Sequence, residues 1–163
     1  EIFEIDLIMS EVIQNSCVLI ETSPSYCNSE EIIGRYIKEI DFDRLVLKVP
    51  PSEYSTKKRI IDSVQASLSR LNQTKATVVM LHGLGNSFSK QARELEKACE
   101  ELLNSNLTSQ VGLSCYTEEE ILFAKKTLPV SLLDTCLLAV TRERPQQFHL
   151  HDSSLRVRKR NCR

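Results

Sequence analysis

Three things are scarce in this chain of 163 residues. Long apolar runs are the first: none approaches the ~18 residues that a membrane span needs, and no charged-then-apolar leader opens the chain. A helix crossing a membrane is therefore not expected within this chain, and a cytoplasmic protein is. Excess charge of one sign is the second. A formal net charge of -1 offers no global attraction to nucleic acid or to an anionic membrane. Closely spaced cysteines are the third. The six (Cys17, Cys27, Cys99, Cys115, Cys136 and Cys162) include no Cys-x-x-Cys pair, whereas zinc and disulfide scaffolds use closer or more regular spacing. They read as reduced thiols in a cytosolic protein. The sequons at Asn72 and Asn106 would matter only after secretion, to which nothing here points. The first residue is Glu1 rather than Met, so a missing upstream segment is expected.

What is present is ordinary for a soluble globular domain: 41% apolar and 26% charged residues, with length enough for one real core. Short β-branched runs alternate with longer amphipathic ones. Strands are predicted at Cys17–Glu21, Arg44–Lys48, Ala76–His82, Val111–Ser114 and, less clearly, Val130–Asp134. Helices are predicted over Ile5–Gln14, from Asn28 or Ser29 to Ile40, from Ser55 or Thr56 to Leu71, and from Ser87 or Ser89 to about Leu103. In the third of these, Ile60, Ile61, Val64, Leu68 and Leu71 recur at helical spacing. A last helix opens at Thr117, which has a capping-box partner in Glu120.

Continuous apolar strands separated by helices indicate βαβ units and a parallel sheet covered on its faces. The strand-end residues Glu21, Lys48, His82, Ser114 and Asp134 are 27, 34, 32 and 20 residues apart, each about one such unit. Polar groups at the carboxyl ends of successive parallel strands share one side of the sheet, where α/β folds place their chemistry. Residues 1–141 form this unit. Residues 142–163 differ, with seven Arg or Lys against two Asp or Glu. They read as a basic, solvated, poorly ordered tail. The sharper reading is nucleic-acid contact or a localisation signal through Arg156–Arg160.

Glu21, Tyr26, Lys48 and His82 form a candidate constellation. A carboxylate beside a lysine holds the ammonium in place. An ammonium beside a phenol favours the phenolate, which makes the phenol a readier proton donor to a carbonyl oxygen. A histidine then positions that oxygen by hydrogen bonding. Singly, each residue also has a plain structural reading: Lys48 as a strand-end charge, His82 as a satisfied loop histidine, Tyr26 as packing.

The run Glu21-Thr-Ser-Pro-Ser-Tyr-Cys-Asn-Ser-Glu-Glu-Ile-Ile-Gly-Arg35 resembles the aldo-keto reductase signature Asp-Thr-Ala-x-x-Tyr-Gly-x-Ser-Glu-x-x-Leu-Gly. Leu47-Lys48-Val49 is similar to that family's strand-three lysine segment, Ser67-Leu-Ser-Arg-Leu71 to its Ser-Leu-x-x-Leu helix, and Val79-Met-Leu-His82 to its strand-four histidine. Val111-Gly-Leu-Ser-Cys-Tyr116 is similar to its Ile-Gly-Val-Ser segment. All stand in the family's order, over about residues 5 to 144. The resemblance implies a (β/α)₈ barrel in which NADPH or NADH delivers hydride to a small aldehyde or ketone. It makes Tyr26 the general acid, Lys48 and Glu21 its tuning partners, and His82 the group that orients the substrate. Ser114 and Asp134 fall at its cofactor positions.

The departures from the pattern are informative. Glu21 replaces Asp, which moves the carboxylate out by a methylene and threatens the placement of Lys48. Cys27 replaces Gly, which strains the turn if that position needs a positive φ. Asp134 stands where the family commonly has Gln. Full barrels of this class run to about 250 residues, so the expected fold is a partial (β/α)₈ barrel covering roughly strands two to six. Such a fragment is expected to be weak or inactive by itself and to self-associate through open sheet edges. A non-catalytic interaction module derived from a reductase is the alternative. An α/β-hydrolase, suggested by Leu81-His-Gly-Leu-Gly85, is a minor one, because Tyr116 occupies a position where the nucleophile elbow needs Gly.

Overall fold

The computed structural model describes residues 2–14, 19–36, 45–83, 88–115, 118–127, 135–140 and 156–161. Its helices are α1 (Ile2–Gln14), α2 (Ser29–Tyr36), α3 (Lys57–Arg70), α4 (Phe88–Asn104) and α5 (Glu118–Thr127). Its strands are β1 (Ile20–Thr22), β2 (Leu45–Val49), β3 (Ala76–His82), β4 (Thr108–Cys115), β5 (Thr135–Val140) and β6 (Arg156–Asn161). The strands lie side by side in chain order, every neighbouring pair parallel. A helix lies between strands at every step from β1 to β5. This is part of a (β/α)₈ barrel.

Side-chain alternation splits the sheet into two faces with different tasks. Leu45, Leu47 and Val49 of β2, Val79 and Leu81 of β3, and Val111, Leu113 and Cys115 of β4 join one large core. Against them pack Ile60, Val64 and Leu68 of α3, Leu95, Ala98, Cys99 and Leu102 of α4, and Ile121 and Ala124 of α5. Each buried Leu, Ile or Val there contributes about 1.5–3 kcal/mol of hydrophobic stabilisation. The opposite face holds a small cluster of Val46, Val78 and Met80, with Leu19 against it. Polar residues complete that face toward the carboxyl ends of the strands.

The helices start and pack as their sequences dictate. Thr56 caps α3, its hydroxyl accepting from the Arg59 amide at 3.3 Å, and Glu94 of α4 accepts from the Lys57 amide at 2.9 Å. Helix α2 meets the end of α3 at Gly34, where a β-carbon would lie 2.4 Å from the Arg70 carbonyl oxygen. Only glycine permits that approach. Beside it the buried Glu30 carboxylate receives the Arg70 guanidinium at 2.6 Å.

One expectation falls outside the described residues and one needs correction. The strand predicted at Val130–Asp134 lies among residues not described, and the described strand nearest to it is Thr135–Val140. The basic tail is not solvated coil throughout, because Arg156–Asn161 pairs with β5 from Thr135↔Arg156 to Val140↔Asn161. A boundary at residue 141 therefore does not part this strand from the sheet. Its β-branched content is low, so periodicity gave no strand signal, and pairing with an open edge supplies what propensity does not.

Candidate active site

Strand register brings the polar residues to one rim. Glu21 pairs with Val46, Lys48 with Met80, and His82 with Ser114. Because Lys48 is two residues beyond Val46, and His82 two beyond Met80, all four share the face opposite the large core. Tyr26 reaches the same rim from the turn after β1.

That turn is built by hydroxyls and one strained residue. The Tyr26 amide donates to the Ser23 carbonyl at 2.9 Å, and the Ser29 amide to the Tyr26 carbonyl at 3.0 Å. Ser23 Oγ accepts from the Ser25 amide at 3.3 Å and donates to the Lys48 carbonyl at 3.2 Å. Thr22 Oγ1 and Ser29 Oγ lie 2.9 Å apart and close the loop at its base. Cys27 adopts φ 49°, the left-handed region that glycine occupies without cost.

Lys48 is the centre of the cluster. Its side chain is 5% exposed, and its ammonium lies 2.6 Å from Glu21 Oε1 and donates a hydrogen bond to Tyr26 Oη. Burial works to lower the Lys48 pKa, but the bonds to Glu21 and Tyr26 and the Glu21 charge outweigh it, and the net direction is upward. The longer Glu21 side chain therefore does not misplace the lysine. Tyr26 is 41% exposed, so its hydroxyl meets Lys48 on one side and solvent on the other. His82 is held below its ordinary pKa, first by burial and then by the Lys48 charge, against the opposing pull of Glu21 and Glu120. Burial and the Lys48 charge both favour the neutral ring. Gly83 turns the chain away at φ 65°, its amide donating to the Ser114 carbonyl at 3.1 Å.

The sequence reading missed Ser23 and Tyr54. The Ser and Pro cluster after β1 is a turn signal from which Ser23 could have been found. Tyr54 follows the 3₁₀ turn Pro51–Glu53 in a segment whose sequence gives no sign of a buried aromatic. Asp134 lies outside the described residues. Among the described cysteines, Cys27, Cys99 and Cys115 are free thiols, and burial pushes Cys99 up to about 12. Among the described residues no group of three His, Cys, Asp or Glu is placed to hold a metal ion, and no helix is long and apolar enough to cross a membrane.

A family model for the aldo/keto reductases matches residues 4–147. The chain belongs to that family. Its fold is that of solved aldo/keto reductases. One from Klebsiella pneumoniae, crystallised with NADP and acetate, superposes with a TM-score of 0.77 at 23% identity over 94% of this chain and 56% of that one. The holo form of one from Bacillus halodurans gives 0.67 at 22% identity, over 82% of this chain and 47% of that one. A third, from a Medee basin deep-sea metagenome, gives 0.70 at 19% identity, over 87% and 52%. The chain thus spans about half the length of the solved structures it matches. Among curated proteins none matches it. Membership removes the α/β-hydrolase reading; His82 ends a barrel strand, and Leu84 and Gly85 lie outside the described residues.

Proposed function

We propose that this aldo/keto reductase chain carries the proton-donating centre for reduction of a small aldehyde or ketone, with Tyr26 as the general acid. The observation that supports the reading most is the Lys48-to-Tyr26 hydrogen bond, made by an ammonium that Glu21 anchors. An ammonium has donors and no acceptor, so the shared hydrogen belongs to Lys48. The phenol keeps its own proton free to point toward the open side of the rim.

As a carbonyl carbon is reduced, its oxygen gains negative charge and takes the Tyr26 proton. The O–H bond of Tyr26 breaks, a new O–H bond forms on the product, and a tyrosinate remains beside the Lys48 ammonium. That ammonium stabilises the developing charge without having to move. Glu21 keeps it in place, and solvent returns the proton through the exposed side of Tyr26. His82, neutral and two strands from Glu21, offers a ring N–H to orient the carbonyl oxygen.

The described rim fits the nicotinamide end of NADPH or NADH: the Ser114 hydroxyl stands beside His82 in register and would hold the carboxamide. Bound there, the cofactor supplies the hydride. Asp134 is the second residue proposed for that site. The Klebsiella pneumoniae relative was crystallised with NADP, which supports this choice of cofactor.

The test is NADPH oxidation with a panel of small aldehydes, beside a titration of NADPH fluorescence. Tyr26→Phe is expected to lower turnover by roughly 10²–10⁴-fold, the usual contribution of a positioned acid, while leaving the NADPH titration unchanged. Retained turnover in Tyr26→Phe contradicts the acid assignment. A wild type that neither binds NADPH nor turns over, and whose mass in light scattering rises with concentration, is instead the interaction module.

A further inference from the structure

We infer that Tyr54 is a positioning residue: its hydroxyl ties the carboxyl end of β2 to that of β3 and thereby fixes Lys48 relative to His82. Tyr54 is 1% exposed. Its hydroxyl oxygen lies 3.1 Å from the Val49 carbonyl oxygen and 3.2 Å from that of His82, and its one hydrogen is shared between the two acceptors. The two acceptors are the residue after Lys48 and the histidine of the rim itself.

The position of this tie gives it its meaning. The β2–β3 register runs from Val46↔Val78 to Val49↔Leu81, so His82 lies one residue past the last pair. His82 stays paired with Ser114 of β4, but on its β2 side the ladder has ended. Tyr54 supplies the missing link to β2 with a single hydroxyl placed between both carbonyls. Ser23 does the same for the Lys48 carbonyl one residue earlier. Phenylalanine would fill the same apolar space, and a buried hydroxyl without acceptors would be costly. The hydroxyl is therefore explained by its two bonds, not by packing. Burial drives the Tyr54 pKa upward, so it remains a protonated donor across the physiological range.

The catalytic part of this inference rests on the proposed reductase function; the geometric part does not. Tyr54→Phe keeps the ring and removes both bonds. Two quantities are read against wild type: the NMR titration of the His82 ring, and kcat and KM for aldehyde reduction. The charged groups that act on His82 are Lys48, Glu21 and Glu120, and none of them is altered. Without the tie, the His82 pKa is expected to rise toward its ordinary value as the strand end opens to water and draws away from Lys48. Turnover is expected to fall roughly tenfold or more, as for a small misplacement of reacting groups, with KM little changed. A purely structural role for the hydroxyl predicts a lower denaturation midpoint with the His82 titration and kcat unchanged, and that result overturns the inference. If Tyr54→Phe does not fold, Tyr54→Met, whose flexible chain fills the space adaptively, is read in the same way. Should wild type show no turnover, the reductase reading fails, and the His82 titration alone decides the role of Tyr54.

Discussion

Glu21 Oε1 sits 2.6 Å from Lys48 Nζ, and both side chains are largely withdrawn from water. A buried ammonium with a carboxylate at that distance is held in its charged form, whereas the same ammonium alone is penalised by burial. The pair therefore sets both the charge and the position of the group that faces Tyr26.

Glu21→Gln keeps the shape and removes the charge. The Lys48 pKa, now raised, is expected to fall, since burial is the largest influence on it and works downward. The sign for stability follows. A lysine raised in the fold stabilises below its unfolded pKa, and that stability is lost as pH rises through the folded value. The alkaline loss should thus shrink in the variant, and once the folded value lies below the unfolded one it turns into a gain as pH rises. At neutral pH, unpairing a buried charge costs about 3 kcal/mol. Lys48 side-chain NMR and urea denaturation measure the two effects.

His82 carries the opposite sign. Its folded pKa lies below the ordinary 6.5, so the unfolded chain binds the proton more readily. The contribution of His82 is fully present above its unfolded pKa and is lost as pH falls through the lowered folded value. Unfolding free energies measured from pH 7 downward should show this loss in wild type. In Lys48→Met, where one of the two depressing influences is gone, the His82 pKa should rise and the loss should shrink.

Cys27 tests the strain at the tyrosine turn. A non-glycine residue at φ 49° costs ~1–2 kcal/mol, and glycine recovers this less its own loss of chain entropy. Cys27→Gly is expected to stabilise the chain by about 0.5–1 kcal/mol, seen as a rise in Tm of roughly 2–4 °C per kcal/mol at this size. An unchanged or lower Tm would show that the turn bears no such strain.

Much of the rim was readable because it rests on period and order. The strand ends at Glu21, Lys48, His82 and Ser114 follow from apolar runs of fixed length, and a parallel sheet puts successive ends on one side. Helix α3 was equally plain, with Thr56 as its cap and Ile60, Val64 and Leu68 on its buried face. The strain at Cys27 could be stated only as a condition, since a sequence does not carry φ. Tyr54 was invisible because its partners are main-chain carbonyls, which every residue possesses and no pattern marks. Strand β6 was missed because alternating arginines carry no apolar period, and an edge decides their pairing.

The division of the sheet into a thick apolar side and a thin, polar one has an evolutionary corollary. Resistance to unfolding is invested almost wholly where helices cover strands, so exchanges along the opposite margin disturb little of the framework. New side chains can be tried there one at a time while the scaffold stays upright, and a change of chemistry need not wait for a change of architecture.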